Sequence, residues 1–140
     1  MLRTITREKI NHVRDLMDKH VRDCLVENYE AIIPSLHLPD QNDRHVLAAA
    51  IKSSASVIVT YNLKDFPKDA LKKHDVEAQH PDDFIMRLFE MKPGVVCTAA
   101  KTCRIRLKNP EFDIDRYLTI LENQSLLKTV GSLRQFRDII

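Results

Sequence analysis

The chain has 140 residues, of which 44% are apolar and 30% charged, and its net charge is +2 at pH 7. This composition is typical of one globular domain, and a net charge so close to zero neither requires nor excludes nucleic acid. No apolar run approaches the ~20 residues that span a bilayer, and the opening residues lack a secretory signal. The sequence therefore predicts a cytoplasmic protein that has no membrane contact.

Two further site classes are disfavoured by residue counts and spacing. The chain has only two glycines, which excludes a glycine-rich phosphate-binding loop. Its three cysteines show no CxxC spacing, and no HExxH motif is present, so zinc is disfavoured. We expect Cys24, Cys97 and Cys103 to be reduced thiols.

The first half of the chain predicts two helices and a buried strand. An apolar stripe at helical spacing predicts a helix from about Thr6 to His20; its members are Ile10, Val13, Leu16 and Met17. After an irregular connector, an alanine-rich helix is predicted to begin near residues 40–43 and to end at about Lys52. The β-branched run Val57–Val59 then predicts a strand buried on both faces, as in parallel sheets.

Acidic residues precede the alanine-rich helix and follow this strand. Asp40 and Asp43 stand before the helix, and Asp65 lies in the polar turn after the strand. We expect this order to bring the three carboxylates together at the carboxyl end of the strand. Clustered carboxylates repel one another unless a cation lies among them, and a hard divalent metal is the usual partner.

The second half of the chain is predicted to be mostly helical. Residues 76–78 form a weak strand candidate, and Pro81-Asp-Asp begins a helix because early acids favour a helix amino terminus. Three more helices are predicted at about 93–107, 114–122 and 125–137. The last has an apolar stripe that predicts core packing or, alternatively, docking of a second subunit or of a helix from a partner protein; its members are Leu126, Leu127, Val130, Leu133 and Phe136.

Several separated motifs resemble the PIN domain family, and in particular the bacterial VapC-like PIN proteins that carry a helical tail. The motifs are LPD and DRHVLAAA at residues 38–50, VIVTYNLKDFP at 57–67, and EAQHPDDF at 77–84. The resemblance implies an α/β fold with three layers around a parallel sheet. It divides the chain into a partial PIN domain, residues 1–92, and a helical extension packed on it, residues 93–140.

The same resemblance implies a metal-dependent endoribonuclease, of the kind that serves as the toxin of a toxin–antitoxin pair, with Mg²⁺ or Mn²⁺ held by four acids. Asp43 matches the third acid and Asp65 the fourth, so both are expected to be catalytic and metal-binding. Thr60 and Asn62 match polar positions that support the site. The family's opening strand, with its aspartate, and an early glutamate have no counterpart, so the chain resembles a PIN protein truncated at its front.

Each candidate residue also has a structural interpretation. Asp40 and Asp43 can cap a helix, while Asp65, Thr60 and Asn62 can simply close a turn. Three histidines, His37, His45 and His80, are expected to be structural. The basic residues Lys101, Arg104, Arg106 and Lys108 can bind RNA phosphates, or they can stabilise the end of a helix through its dipole.

Two functions follow from these patterns. The first is the Mg²⁺-dependent endoribonuclease, acting on RNA and paired with an antitoxin or with a second copy of itself. The acidic site is incomplete in this chain, so weak activity or none is expected. The alternative is a non-catalytic remnant that binds protein or RNA, because an unpaired strand edge beside Val57–Val59 invites pairing with another chain.

Overall fold

A computed structural model of the protein describes residues 5–108 and 110–140. Seven α-helices are present in this part of the chain: α1 Arg7–His20, α2 Arg44–Lys52, α3 Lys68–Lys72, α4 Pro81–Met91, α5 Pro93–Arg106, α6 Ile114–Asn123 and α7 Leu127–Leu133. Short 3₁₀ helices lie at Glu30–Ser35, Gln41–Asp43, Leu63–Asp65 and Arg134–Ile139.

The described strands form a two-stranded parallel sheet. Strand β1, Val57–Val59, pairs with β2, Glu77–Gln79, through a crossover that contains α3. Both predicted strands are confirmed, and the combination of helices with a parallel pair of strands is compatible with the predicted α/β class. The three-layer PIN-like arrangement stays a prediction.

Burial of β1 on both faces was a wrong prediction. Ile58 is buried, but the Val59 side chain is 43% exposed. Successive side chains point to opposite faces of a sheet, so Val59 lies on the face opposite Ile58, and this face is not covered at Val59. Among the described residues β1 also has only one strand neighbour, β2. The backbone groups of Val57 and Val59 point to the opposite edge, because successive residues of a strand alternate in the direction of their hydrogen bonds.

A first hydrophobic core lies around this sheet. Helix α2 packs against β1 and the 3₁₀ helix at residues 30–35, and α3 packs against β2. The alanines of α2 allow this close approach, and Ala48 is fully buried. The buried members of this core are Leu36, Leu38, Leu47, Ala48, Ala50, Ile58, Phe66, Leu71 and Val76.

A second core is purely helical and belongs to residues after 80. Helices α4, α5, α6 and α7 and the final 3₁₀ helix surround it, and the Phe89 and Phe136 rings meet edge to face at 5.5 Å between centroids. Its buried members are Phe89, Cys97, Leu118, Val130, Leu133 and Ile140. The assignment of residues 1–92 and 93–140 to separate units stays a prediction; α4 itself packs with the later helices.

The apolar stripe predicted for the last helix is mostly core. Leu126, Val130 and Leu133 are buried, which contradicts their use as a docking face for another chain. Leu127 was assigned to this stripe wrongly, since its side chain is 65% exposed. The helix begins at Leu127 and changes to a 3₁₀ helix after Leu133, so the predicted continuous helix over 125–137 is also wrong.

Helix α1 forms as predicted but has no buried residue. The Thr6 hydroxyl caps it by accepting from the Lys9 N–H at 3.4 Å. The side chains of Ile10, Val13 and Met17 are each more than half exposed. Within the described residues, α1 and the other helices are too short or too polar to cross a membrane.

Non-glycine residues end helices where glycine is the usual choice. Ser54 follows α2 with φ of 56°, and Ser125 follows α6 with φ of 63°. After α2 the Ala55 N–H donates to the Ala50 carbonyl at 2.9 Å and the Ser54 N–H to the Ile51 carbonyl at 3.1 Å. These bonds form a Schellman motif, whose left-handed residue is most often glycine.

Candidate functional site

A cavity of about 290 Å³ lies at the carboxyl end of β1 and is lined by four of the five residues predicted for the acidic site; Asp40 is the one that does not line it. Ile58 and Val59 of the strand, and Thr60 directly after it, line the cavity. The Thr60 N–H continues the hydrogen bonding between the strands by donating to the Gln79 carbonyl at 2.9 Å. The start of α2 approaches from one side and the turn after β1 from the other. The full lining is Asp43, Val46, Ile58, Val59, Thr60, Asn62, Asp65 and Phe66.

Asp40 and Asp43 have different roles although only three positions separate them. The Asp40 carboxylate accepts from the Asn42 N–H at 2.8 Å, so it caps the 3₁₀ helix that leads into α2. Asp43 occupies the cap position of α2 itself, yet its side chain makes no capping hydrogen bond and lines the cavity instead. The structural interpretation therefore fits Asp40, while the Asp43 carboxylate is available to a ligand.

The turn after β1 holds Asp65 through two polar neighbours. The Thr60 hydroxyl accepts from the Asn62 N–H at 3.0 Å, and the Asn62 side-chain amide donates to the Asp65 carboxylate. Thr60 thus orients Asn62, and Asn62 orients Asp65. These two hydrogen bonds fix the position of the Asp65 carboxylate. All three residues line the same cavity as Asp43.

The remaining wall of the cavity is apolar. Val46, Ile58 and Phe66 lie beside the two carboxylates, and neither Val46 nor Phe66 was predicted to contribute. Apolar walls of this kind carry no signal in the sequence, because the same residues also satisfy the periodicity of a core. Across residues 5–108 and 110–140, no three histidine, cysteine, aspartate or glutamate side chains are grouped closely enough to bind a metal ion.

The histidines near the site make structural contacts. His45 lies within 2.5 Å of the Asn42 carbonyl through its Nδ1, which must then carry the proton and donate. His80 caps α4, its Nδ1 accepting from the Asp82 N–H at 3.1 Å, and its ring meets Tyr61 edge to face. These contacts favour the structural interpretation of both residues.

The four basic residues predicted as an RNA-binding segment differ in their surroundings. Lys101, Arg106 and Lys108 are exposed. Arg104 is partly buried, and its guanidinium donates to the carbonyls of Phe112 at 3.1 Å and Ile140 at 3.2 Å. Those bonds connect α5 to one residue that precedes α6 and to one that follows α7. Arg104 therefore has a structural role that its spacing in the sequence did not indicate.

The sequence predicted only part of the role of Asp82. It was expected only to favour the start of its own helix, α4. Its side chain is buried, and it accepts from the Lys128 N–H, the Thr129 N–H and the Thr129 hydroxyl at 2.9, 2.9 and 2.7 Å. Asp82 therefore caps α7, which has no cap from its own preceding residue.

These bonds set the protonation behaviour of Asp82. Burial alone would raise the pKa of the carboxyl group, but hydrogen bonds from Thr129 and Lys128 stabilise the anion, and the pKa is lowered below its ordinary value of 3.8. The neighbouring Asp83 forms an ion pair with the Lys128 ammonium at 2.5 Å on the surface. Helices α4 and α7 are thus joined by a buried anion and an exposed ion pair.

Comparison with known proteins gives matches to only part of the chain. Residues 81–135 match a family model described as the VapC50 C-terminal domain. A curated protein of Mycobacterium tuberculosis (strain ATCC 25618 / H37Rv), "Putative ribonuclease VapC50", is 64% identical over 44 residues, which are 31% of this chain and 26% of that protein. No solved structure matches.

The matched segment covers α4 to α7, and so includes Asp82 and every buried member of the second core except Ile140, but none of the residues around the cavity. The chain spans about a quarter of the length of the curated relative that it matches. Its carboxyl-terminal helical region is accordingly similar to the C-terminal domain of VapC50.

Proposed function

We propose that the protein is an endoribonuclease of the VapC type that depends on Mg²⁺ or Mn²⁺ and acts at the cavity beside β1. The observation that carries the proposal is the convergence of Asp43 and Asp65 on one cavity, with Asp43 free of any capping role. The similarity of the carboxyl-terminal helices to a protein named as a ribonuclease supports the same class of activity.

The donor set fits one hydrated Mg²⁺ ion better than two. Mg²⁺ retains several waters and is commonly bound by one or two carboxylates, which Asp43 and Asp65 can supply. The absence of a three-residue cluster in the described part of the chain argues against a pair of metals held by these residues alone. A metal bound here would polarise the scissile phosphate and lower the pKa of a bound water.

In this mechanism the residues of the chain bind the metal ion and orient its carboxylate ligands. Asp43 and Asp65 supply negative oxygen ligands, and Asn62 fixes the direction of the Asp65 carboxylate by donating to it. Val46 and Phe66 limit the access of water to one wall of the cavity. Lys101, Arg106 and Lys108 are exposed cations that can contact RNA phosphates. An antitoxin would be the natural regulator of such a toxin.

Cleavage of a fluorescent single-stranded RNA in Mg²⁺ or Mn²⁺, compared with EDTA, tests the proposal. Loss of a residue that orients a ligand costs about 10–100-fold in activity. We therefore expect Asn62→Ala to lower the rate about tenfold, and Asp43→Asn and Asp65→Asn to lower it at least about 100-fold. Asp75→Asn, an exposed change of the same charge, is the matched control. Cleavage by Asp43→Asn at the wild-type rate would refute the assignment.

A second candidate function has its own observation. The β1 edge opposite β2 has no strand partner among the described residues, and Val59 beside it is 43% exposed. Such an edge is a template for pairing with an extended segment of another chain. The protein would then be a binding module without catalysis.

Titration with Mn²⁺, followed by calorimetry, distinguishes the two functions. Saturable binding that is lost in both Asp43→Asn and Asp65→Asn supports the nuclease. If wild-type protein and both variants give the same flat titration, the nuclease proposal fails and the binding module is favoured. Val59→Pro, which cannot donate to an added strand, then tests the module through loss of partner binding.

A further inference from the structure

A second polar cavity, of about 500 Å³, lies beside β2 and the start of α4. We call it the β2 cavity, and its polar lining includes Glu77, Gln79, His80, Asp83, Arg87 and Glu90. It shares the turn after β1 with the cavity beside β1, because Leu63 lines the one and Asn62 and Asp65 line the other. The two cavities are therefore neighbours at the carboxyl ends of paired strands.

Gln79 carries a hydrogen-bond acceptor that the protein leaves unused. It is 6% exposed, and its side-chain amide donates to the Glu77 carboxylate. Arg87 donates to the same Glu77 oxygen at 3.0 Å, so both neighbours hold the amide in one orientation. The Gln79 Oε1 then has no hydrogen-bond partner among the described residues. Buried polar atoms are nearly always paired, so this one indicates a donor that a ligand supplies.

The charged groups of the β2 cavity also favour a ligand that donates hydrogen bonds. Its carboxylates are those of Glu77, Asp83 and Glu90. Its two cations are already paired, Arg87 with Glu77 and Lys128 with Asp83. Within residues 5–108 and 110–140, Glu90 forms no ion pair. Negative acceptors are thus in excess, and a ligand that fits this wall presents several N–H groups.

Tyr61 places an exposed aromatic ring between the two cavities. It lies between Thr60 and Asn62, which both line the cavity beside β1, and it is 58% exposed. Its ring meets that of His80, which lines the β2 cavity, at 5.1 Å between centroids and an interplanar angle of 87°. Exposed aromatic rings are the surfaces on which the bases of single-stranded RNA stack.

We propose that the β2 cavity binds a guanine base of the RNA substrate and that the adjacent base stacks on Tyr61. This inference rests on the proposed nuclease function, since it concerns the substrate of the same enzyme. The Watson–Crick edge of guanine carries two adjacent donors, N1–H and the N2 amino group, whereas adenine, cytosine and uracil each carry a single donor group there. The Gln79 Oε1 and the Glu77 carboxylate are acceptors that match this pair. A neutral base also approaches these carboxylates without the repulsion that a phosphate meets.

Binding of a labelled RNA in EDTA is the first test, because it requires neither metal nor cleavage. The probe is a short oligouridine with one central guanine, followed by fluorescence anisotropy. We expect it to bind at least about fivefold more tightly than the same RNA with adenine or with inosine, which lacks only the N2 amino group. Equal affinities for the three RNAs would overturn the proposal.

Variants then test the two contacts separately. Gln79→Leu removes the unused acceptor and should abolish the preference for guanine over inosine. Tyr61→Ala should weaken the binding of all three RNAs about tenfold, whereas Tyr61→Phe keeps the ring and should restore it. Leu25→Ala, which shortens an apolar residue that is 60% exposed, is the control and should change nothing. Circular dichroism checks the fold of each variant, and Tyr61→Ala keeps the test decisive if Gln79→Leu does not fold.

The assay in EDTA separates this inference from the proposed nuclease function. A wild-type chain that cleaves RNA in Mg²⁺ but binds guanine, adenine and inosine RNAs equally refutes the base site and leaves the nuclease standing. A chain that prefers guanine in EDTA but cleaves no RNA supports the base site and refutes the nuclease. Unchanged binding in both Gln79→Leu and Tyr61→Ala also overturns the inference, because the RNA would then be held elsewhere.

Discussion

The two halves of the molecule use their acidic residues in opposite ways. Around β1, Asp43 and Asp65 lie at a cavity, and Asp43 makes no hydrogen bond to a helix end. Between α4 and α7, Asp82 is buried and accepts three hydrogen bonds. A carboxylate whose acceptor capacity is filled by the protein stabilises the fold, whereas one left open at a cavity can bind a ligand. The difference lies in the neighbours and not in the residue type.

The largest effect is expected when the same substitution, aspartate to asparagine, is made at Asp43 and at Asp82. Asp43→Asn should lower metal-dependent RNA cleavage at least about 100-fold and leave the free energy of unfolding unchanged within about 0.5 kcal/mol. Asp82→Asn should do the reverse, with normal activity for each folded molecule. Activity assays and urea unfolding on both variants check this. A large loss of stability in Asp43→Asn would mean that Asp43 is structural.

Asp82→Ala should show how strongly the helical half depends on one buried carboxylate. The change leaves the buried Thr129 N–H and hydroxyl and the partly buried Lys128 N–H without their partner, and hydrogen bonds to a charged group contribute about 1.5–3 kcal/mol. We expect the free energy of unfolding to fall by about 3 kcal/mol. Asp83→Ala, next to it on the exposed ion pair, is the control and should cost less than about 1 kcal/mol.

The pH dependence of stability gives a second, smaller measure of Asp82. Its pKa is lower in the folded chain than the ordinary value of 3.8, so the unfolded chain binds the proton more readily. The stabilisation is therefore complete above pH ~4 and declines as the pH falls through the folded pKa. Urea unfolding from pH 6 to pH 2.5 should show that the difference in the free energy of unfolding between wild type and Asp82→Asn becomes smaller as the pH falls. A constant difference would contradict the lowered pKa.

The smallest effect concerns the helix end that positions β1. Ser54 has a left-handed conformation in a Schellman motif, where a side chain costs energy and glycine does not. Ser54→Gly should raise the free energy of unfolding by about 0.5–1 kcal/mol. Ser56→Gly, two residues later and exposed, lacks this geometry and should give no gain. Thermal unfolding of both variants measures the difference.

Local patterns in the sequence were enough to predict the elements and the convergence of the site. The spacing of Ile10, Val13 and Met17 determines a helix, and the β-branched run Val57–Val59 determines a strand. The order of helix, strand and turn brings Asp43 and Asp65 to one strand end, because α2 packs against β1 and runs back to its beginning, so that the start of the helix lies near the carboxyl end of the strand. These features depend on neighbours a few residues apart, which a sequence displays directly.

Other features depended on contacts between distant residues, and only the tertiary structure decided them. Asp82 and Thr129 are 47 positions apart, so no local pattern indicates that one caps the helix of the other. Periodicity predicted apolar faces on α1 and α7, yet the face of α7 is buried and that of α1 is exposed. Periodicity shows only that one face of a helix is apolar. Which surface covers it is determined by the shape of the rest of the molecule.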